Sequence, residues 1–441
     1  GPGSPERARF WFRPGRGSGG NTPPTGWTSN FGGLPWSRTT NPDGTPGDWY
    51  LHLFAPEQPD LNWDHPGVRT EHEEILRFWF DRGAGGVRID SAALLVKDPA
   101  LPEVPETPAP GHHPNTDRDE LHEIYRAWRA VADSYPGERL LVGEIWLPDA
   151  DRFANYLRPG ELHTAFNFDF MARPWQAASL AASIDETLAA HAPVGAPATW
   201  VLSNHDVTRP ATRYGREDSS FAFARKRRDI PTDVALGQRR ARGAALLAAA
   251  LPGSLYIYQG DELGLDEVTV PDDEIQDPMH ERSGGVDPGR DGCRVPIPWS
   301  GDRPPFGFSA ASPGGTVAPP WLSQPAHWAG LTVEAQLADP GSMLHLYRAM
   351  LRIRREEPGL GDGAFAWIPS APGVLAFARG ARFVNVTNIS DRPVPLSPDA
   401  LVLLASADVS DGALPPDATA WLLTPPAAAD DSLRRVPSED A

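Results

Sequence analysis

Two short stretches decide the fold, Gly86-Val87-Arg88-Ile89-Asp90 and Leu140-Leu141-Val142-Gly143-Glu144. Each is a brief apolar run that ends in a carboxylate, and each follows a segment with helical spacing. Upstream of the first, residues 68–81 carry Ile75, Leu76, Phe78 and Trp79 near a helical period, and Gly83 closes the segment. Upstream of the second, residues 119–134 read as a helix. The unit recurs: a strand at 163–168, a helix at 184–191, and a strand at 199–203 that runs into Asn204-His205-Asp206. An Ala-rich helix at 234–251 and a strand at 254–259 follow. Strands that alternate with helices predict a parallel sheet, because parallel neighbours need a crossover and are covered on both faces. Five such strands, three of them ending in acids, predict an α/β fold that is part of a (β/α)8 barrel. Such a barrel forms its site at the C-terminal strand ends.

Outward from this core the patterning changes. Residues 1–66 are dense in Gly, Pro, Ser, Asn and Trp and read as a loop-rich segment with short strands such as 49–53. Residues 67–356 form the barrel portion, with an irregular stretch at 266–330 and a helix at 343–356. Residues 357–425 switch to short strands at 364–368, 374–378, 383–387, 401–404 and 420–423, which predicts a C-terminal antiparallel β domain. The polar residues 426–441 read as a flexible tail.

Composition narrows the function classes. The chain has 441 residues, 40% hydrophobic and 9% aromatic, which is a globular balance. Its net charge of −18 opposes binding to phosphate backbones, so no nucleic-acid partner is expected and a neutral substrate fits better. No apolar run approaches the length of about 18 that signals a membrane span. The single cysteine, Cys293, allows no intrachain disulfide, and a cytoplasmic location is expected. The first residue is Gly rather than Met, so the chain is expected to begin inside a longer product.

Asp90, Glu144 and Asp206 stand at three separate strand ends, which converge on one barrel mouth. Two carboxylates across a sugar are what glycoside cleavage needs, one ionised to attack and one protonated to release the leaving oxygen. Arg88 lies two residues before Asp90, so in a strand both side chains face the same way, and a guanidinium there favours the ionised carboxylate. That marks Asp90 as nucleophile. Glu144, followed by Ile145-Trp146, gains an apolar wall suited to an acid/base, and His205 is placed to donate to sugar hydroxyls. An acid at one strand end is more often a cap or an ion pair, and spacing alone leaves the reaction class open.

The blocks 86–90, 143–146 (Gly-Glu-Ile-Trp) and 203–206 (Ser-Asn-His-Asp) resemble signature regions of the α-amylase family of glycoside hydrolases, family 13. Gln58-Pro59-Asp60-Leu61-Asn62-Trp63 resembles a segment of its α-glucosidase and oligo-1,6-glucosidase branch. The stretch from Leu251-Pro252-Gly253 to 258–265 resembles its last barrel strand and loop, and 289–296 (Gly-Arg-Asp-Gly-Cys-Arg-Val-Pro) a further loop. The resemblance implies a TIM barrel of which strands 4–8 and their helices are present, with residues 1–66 a remnant of the domain inserted after strand 3. It implies Asp90 as nucleophile, Glu144 as general acid/base and Asp206 as transition-state stabiliser. Arg88, His205 and Arg290 are implied as sugar or carboxylate partners. The implied activity is a retaining, exo-acting α-glucosidase that releases glucose from the nonreducing end of short α-glucans through a β-glucosyl-enzyme, without a cofactor. Transglucosylation or isomerisation with the same triad, and an inactive truncated relative, are the alternatives.

The sequence departs from the family pattern in places. Its first signature, an Asp…Asn-His pattern, is not found, and with it would go a sugar-binding His, an Asp and any family calcium site in the early loops. Ser91 and Ala93 replace the Val and His expected after the nucleophile; α-1,4 linkages are favoured over α-1,6. A barrel without three strands leaves an unpaired edge at 86–90, so this chain alone is expected to be inactive or poorly folded. Trp146, Trp200 and Trp328 read first as packing residues. His112-His113 lacks a carboxylate at metal-ligand spacing, and no metal site is expected. Cys293 reads as a plain thiol, and Lys226, in the basic run 225–228, as part of a solvated helix face.

Overall fold

The N-terminal segment folds around its tryptophans. In a computed structural model, which describes residues 3–223, 226, 228–310 and 317–425, strands β1 (Phe12–Arg13), β2 (Trp36–Thr40) and β3 (Pro46–Leu51) form an antiparallel sheet in the order β1-β3-β2. Trp11, Trp27 and Trp36 pack with Leu51, Leu53 and Leu101. Each indole N–H finds an acceptor: Leu61 O at 3.1 Å, Pro102 O at 2.9 Å and Thr25 Oγ1 at 2.9 Å respectively. Aromatic area is buried without stranding a polar atom.

A chain-ordered arc of βα units follows: α1 (Pro66–Asp81), β4 (Gly86–Ile89), α2 (Leu121–Asp133), β5 (Leu140–Ile145), α3 (Ala150–Asn155), β6 (Thr164–Asn167), α4 (Phe168–Ala172), α5 (Ala177–His191), β7 (Thr199–Val201), α6 (Pro210–Arg213), α7 (Val234–Ala250) and β8 (Ser254–Tyr256). β4 pairs with β5, β5 with β6 and β7 with β8, all in parallel. A hydroxyl joins the two groups. Thr199 Oγ1 donates to Ala165 O at 2.6 Å and accepts from Asn167 N at 2.9 Å. Among the described residues β4 has no partner beyond β5, and β8 none beyond β7.

The burial of α1 differs from the expected face. Val68, Leu76 and Phe80 are buried, whereas Ile75, Phe78 and Trp79 are 44%, 47% and 52% exposed. Spacing by four from Val68 through His72, Leu76 and Phe80 defines the packed stripe, where His72 lies against Trp63 and Trp128. The helix carries two apolar stripes, and tertiary contact rather than periodicity chooses between them. Arg82 covers Phe78, its guanidinium carbon 3.4 Å from the ring centroid.

Beyond the arc come α8 (Pro278–Arg282), α9 (Val333–Ala338) and α10 (Met343–Glu356). The C-terminal part contains β9 (Phe365–Trp367), β10 (Val374–Arg379), β11 (Phe383–Asn388), β12 (Val394–Pro395), β13 (Leu401–Ala405), β14 (Ala413–Leu414) and β15 (Ala418–Leu423). Five of these make an antiparallel sheet in the order β13-β15-β11-β10-β9. The sheet docks on α7, whose alanines bring backbones close. Trp421 Nε1 donates to Leu246 O at 3.1 Å and Thr419 Oγ1 to Gly243 O at 2.8 Å. Buried Arg379 donates to Ala250 O, Gly361 O and Gly363 O at 2.7–2.9 Å.

Both lysines are internal braces. Lys97 bonds Asp60, tying the loop after β4 to the N-terminal segment. Lys226 is not on a solvated helix face; it is buried in a loop, donates to Gly289 O and lies 3.7 Å from Asp287 Oδ1. Its neighbours Arg225 and Arg227, and the tail 426–441, lie outside the described residues. Trp200 and Trp328 are fully buried, and Cys293 is a buried free thiol.

Candidate active site

Asp90 is the first residue after β4, Glu144 lies near the end of β5, and His205 and Asp206 occupy the turn after β7. All four, with Arg290, line one cavity of about 700 Å³. Arg88, the remaining sequence-predicted site residue, points to the same side as Asp90. Its Nη1 bonds Asp90 Oδ1, and its Nη2 lies 3.3 Å from Glu144 Oε2. One guanidinium therefore bridges the two carboxylates.

Their surroundings are opposed. The Asp90 side chain is 74% exposed, while Glu144 is 5% exposed. Burial pushes the Glu144 carboxyl above its ordinary value. The Ser91 amide at 2.8 Å, the Trp146 indole at 2.8 Å and Arg88 all favour the ionised form but do not cancel that rise. A buried carboxyl biased toward its protonated form beside an open, cation-paired one is the division of labour that acid-assisted nucleophilic substitution needs.

Asp206 is gripped by two arginines: Arg290 Nη1 at 3.2 Å and Arg294 Nη2 at 2.9 Å both reach its Oδ1. Arg294 also donates to His205 O at 2.8 Å. Burial pushes the His205 imidazole below its ordinary value, so it is neutral at pH 7, with Nε2 3.5 Å from Asp206 Oδ2. Arg290 is itself anchored. Asp277 accepts from its backbone N at 2.7 Å, from Nε at 2.6 Å and from Nη2 at 3.1 Å. Burial alone would raise the Asp277 carboxyl, but the Arg290 guanidinium and the backbone amides outweigh it and hold it below the ordinary range.

The site contains residues that the sequence reading passed over. Arg294 sits four residues after Arg290 across the turn Asp291–Cys293, which brings both guanidinium groups to one carboxylate. That spacing was visible; the target was not. Asp277 comes from the irregular stretch after β8 and carried no periodic signal. Phe31, from the N-terminal segment, lies under Arg290 with 4.6 Å from guanidinium carbon to ring centroid. Trp146 stacks on Phe168 at 3.9 Å and lines the cavity. His113 Nδ1 accepts from the Asn115 amide, and among the described residues no group of three or more His, Cys, Asp or Glu is placed to hold a metal.

The family described as alpha amylase, catalytic domain, matches residues 3–363. The chain is 32% identical over 381 residues to a probable alpha-glucosidase of Rhizobium meliloti (strain 1021), covering 81% of this chain and 63% of that protein. It is 28% identical over 458 residues to an oligo-1,6-glucosidase of Parageobacillus thermoglucosidasius, covering 92% and 75%. The crystal structure of an alpha-glucosyl transfer enzyme superposes with a TM-score of 0.78 at 29% identity, covering 96% of this chain and 78% of the other. The chain thus spans less than two thirds of the first of these curated relatives, 63%, and 75% of the second.

Proposed function

This chain belongs to the α-amylase family of glycoside hydrolases, and from that premise we propose that it is the catalytic part of a retaining, exo-acting α-glucosidase acting on short α-glucans. The observation that carries the reading is the pair Asp90 and Glu144, bridged by Arg88 and set in opposite environments. Asp90 attacks the anomeric carbon as Glu144 gives its proton to the leaving glycosidic oxygen. The bond formed is a β-glucosyl ester, and the bond broken is C1–O. Glu144, now ionised, takes a proton from water, which displaces Asp90 and restores the α configuration. Asp206, fixed by Arg290 and Arg294, accepts hydrogen bonds from sugar hydroxyls, and neutral His205 donates one. Nucleophile and acid are both side chains, so the proposed reaction needs no cofactor.

The test is the configuration of the first-formed product. Proton NMR during maltose hydrolysis is expected to show α-glucose ahead of mutarotation; β-glucose first would overturn the retaining reading. A second reading, transfer of glucose to a sugar acceptor, is favoured by the similarity to an alpha-glucosyl transfer enzyme. Each transfer to maltose frees one glucose, so trisaccharide formed in amounts close to the free glucose would select it, whereas two glucose per maltose without trisaccharide would select hydrolysis.

The arc is also proposed to be strands 4–8 of a (β/α)8 barrel. Supporting this are the free edges of β4 and β8 and the exposed Ile75, Phe78 and Trp79 on α1, a surface that further βα units would cover. Pairing of β4 with a preceding parallel strand would protect its outward amides from hydrogen exchange. Free exchange at those amides in the active protein would contradict the closed barrel.

A further inference from the structure

The short helix α8 links two segments that line the cavity, the one around Arg290 and the one around Phe31. At its start, Asp277 caps the helix through Met279 N at 3.0 Å while gripping Arg290, and through Arg290 it holds Asp206. At its end, Arg282 Nε donates to Gly32 O at 3.0 Å and its Nη2 to Leu34 O at 2.8 Å. These bonds join segments about 250 residues apart in the chain.

The tie fits the backbone closely. Gly32 and Gly33 have φ of +89° and +70°, a left-handed turn that folds the loop back against the helix end. A Cβ on Gly32 would stand 3.4 Å from Arg282 O. That loop carries Asn30 and Phe31, which line the cavity, and Phe31 lies directly beneath Arg290. A ring of contacts results: Asp206 to Arg290, Arg290 to Asp277, α8 to Arg282, Arg282 to the 29–34 loop, and Phe31 back to Arg290. Arg282 itself does not line the cavity.

We propose that Arg282 is a positioning residue that sets the Asn30–Phe31 wall against Arg290 and so governs how tightly the cavity holds a glucose unit. The inference rests on the glucosidase reading for its substrate. A guanidinium bonded to two carbonyls is a strong tie, because each bond is charge-assisted and both point at a loop that makes no other hydrogen bond to α8 among the described residues. The wall contacts ground state and transition state alike, so loosening it raises KM and leaves the chemical step nearly intact.

Arg282→Met and Arg282→Lys, assayed on 4-nitrophenyl α-glucoside and followed by hydrogen exchange over residues 29–34, test this. The Met variant is expected to raise KM about 3- to 10-fold with kcat within about 2-fold, and to speed exchange in the loop. The Lys variant, which keeps a charge but not the fork, is expected to fall between it and wild type. If the Met variant does not fold, the Lys variant decides by the same criteria. Unchanged loop exchange, or faster exchange with unchanged KM, or a loss confined to kcat, overturns the proposal. If the wild-type protein with any further βα units in place turns over no α-glucoside, the glucosidase reading fails by itself. Glucose binding by tryptophan fluorescence then takes the place of KM, with affinity expected to weaken by the same factor and equal affinity or no binding overturning the proposal.

Discussion

The indole of Trp146 donates its Nε1–H to Glu144 Oε1 at 2.8 Å while its ring stacks on Phe168 at 3.9 Å. The side chain acts on Glu144 in two opposed ways. Its bulk helps bury the carboxyl, which favours the protonated form, and its N–H favours the ionised one. The rise from burial prevails, so Glu144 keeps its proton to higher pH than an ordinary carboxyl.

Trp146→Phe separates the two effects. It keeps the apolar wall and removes the donor, so the Glu144 carboxyl rises further. On the proposed assignment of Glu144 as the acid, kcat/KM requires its protonated form, so activity is expected to fall as pH rises through that value. The basic limb of the pH–rate profile is therefore expected at higher pH in the variant than in wild type. A limb moved to lower pH would contradict the assignment of Glu144 as the acid.

Asp277→Asn tests the anchor beneath Arg290. Breaking a buried ion pair on one side costs about 3–5 kcal/mol, and urea denaturation at pH 7 is expected to show a loss of that order. The carboxyl is held below its unfolded value of 3.8, so its contribution is present above that value and disappears as pH falls through the lower folded value. The gap between wild type and variant is accordingly expected to narrow on acidification below 3.8. A gap that widens there would contradict the depressed carboxyl.

On α1, Phe80→Ala removes a buried ring and is expected to cost about 3–5 kcal/mol. Trp79→Gln, on the stripe exposed in this chain, is expected to change the stability of residues 1–441 taken alone by no more than about 0.5 kcal/mol, and to cost more where further βα units cover it. Thermal denaturation of the two variants reads the helix face directly, and equal losses would contradict the orientation described.

Arg379→Met strips three carbonyls of their donor where the C-terminal sheet meets α7. At about 1–3 kcal/mol for each group left unsatisfied, a loss of at least about 3 kcal/mol is expected by denaturant titration. A neutral outcome would mean that water replaces the guanidinium at this junction.

Much of the arc was legible from local pattern. The apolar runs at β4 and β5 are short, end in acids and follow helical segments, and the period of two put Arg88 and Asp90 on one side. Five of the C-terminal strands were equally plain, because turn residues separate them, whereas the two-residue strands β12 and β14 are too short to carry a period. What stayed hidden depends on long-range contact. The N-terminal sheet was obscured because its half-buried strands, such as Trp36–Thr40, hold one tryptophan among polar residues. Asp277 and Arg282 lie in a stretch without period, and their partners Arg290 and Gly32 are 13 and 250 residues away. Lys226 looked like part of a charged surface run, and its burial comes from a carbonyl in another loop.

The central claim is that Asp90 forms the covalent bond to the sugar. Incubation with 5-fluoro-α-glucosyl fluoride, a slow glucosyl donor, followed by proteolysis and mass spectrometry tests it most directly. The account predicts one fluoroglucosyl adduct, on the peptide that contains Asp90, lost when Asp90 is changed to Asn. An adduct on a peptide carrying Glu144 or Asp206 instead, or turnover of the reagent by Asp90→Asn at the wild-type rate, would contradict it.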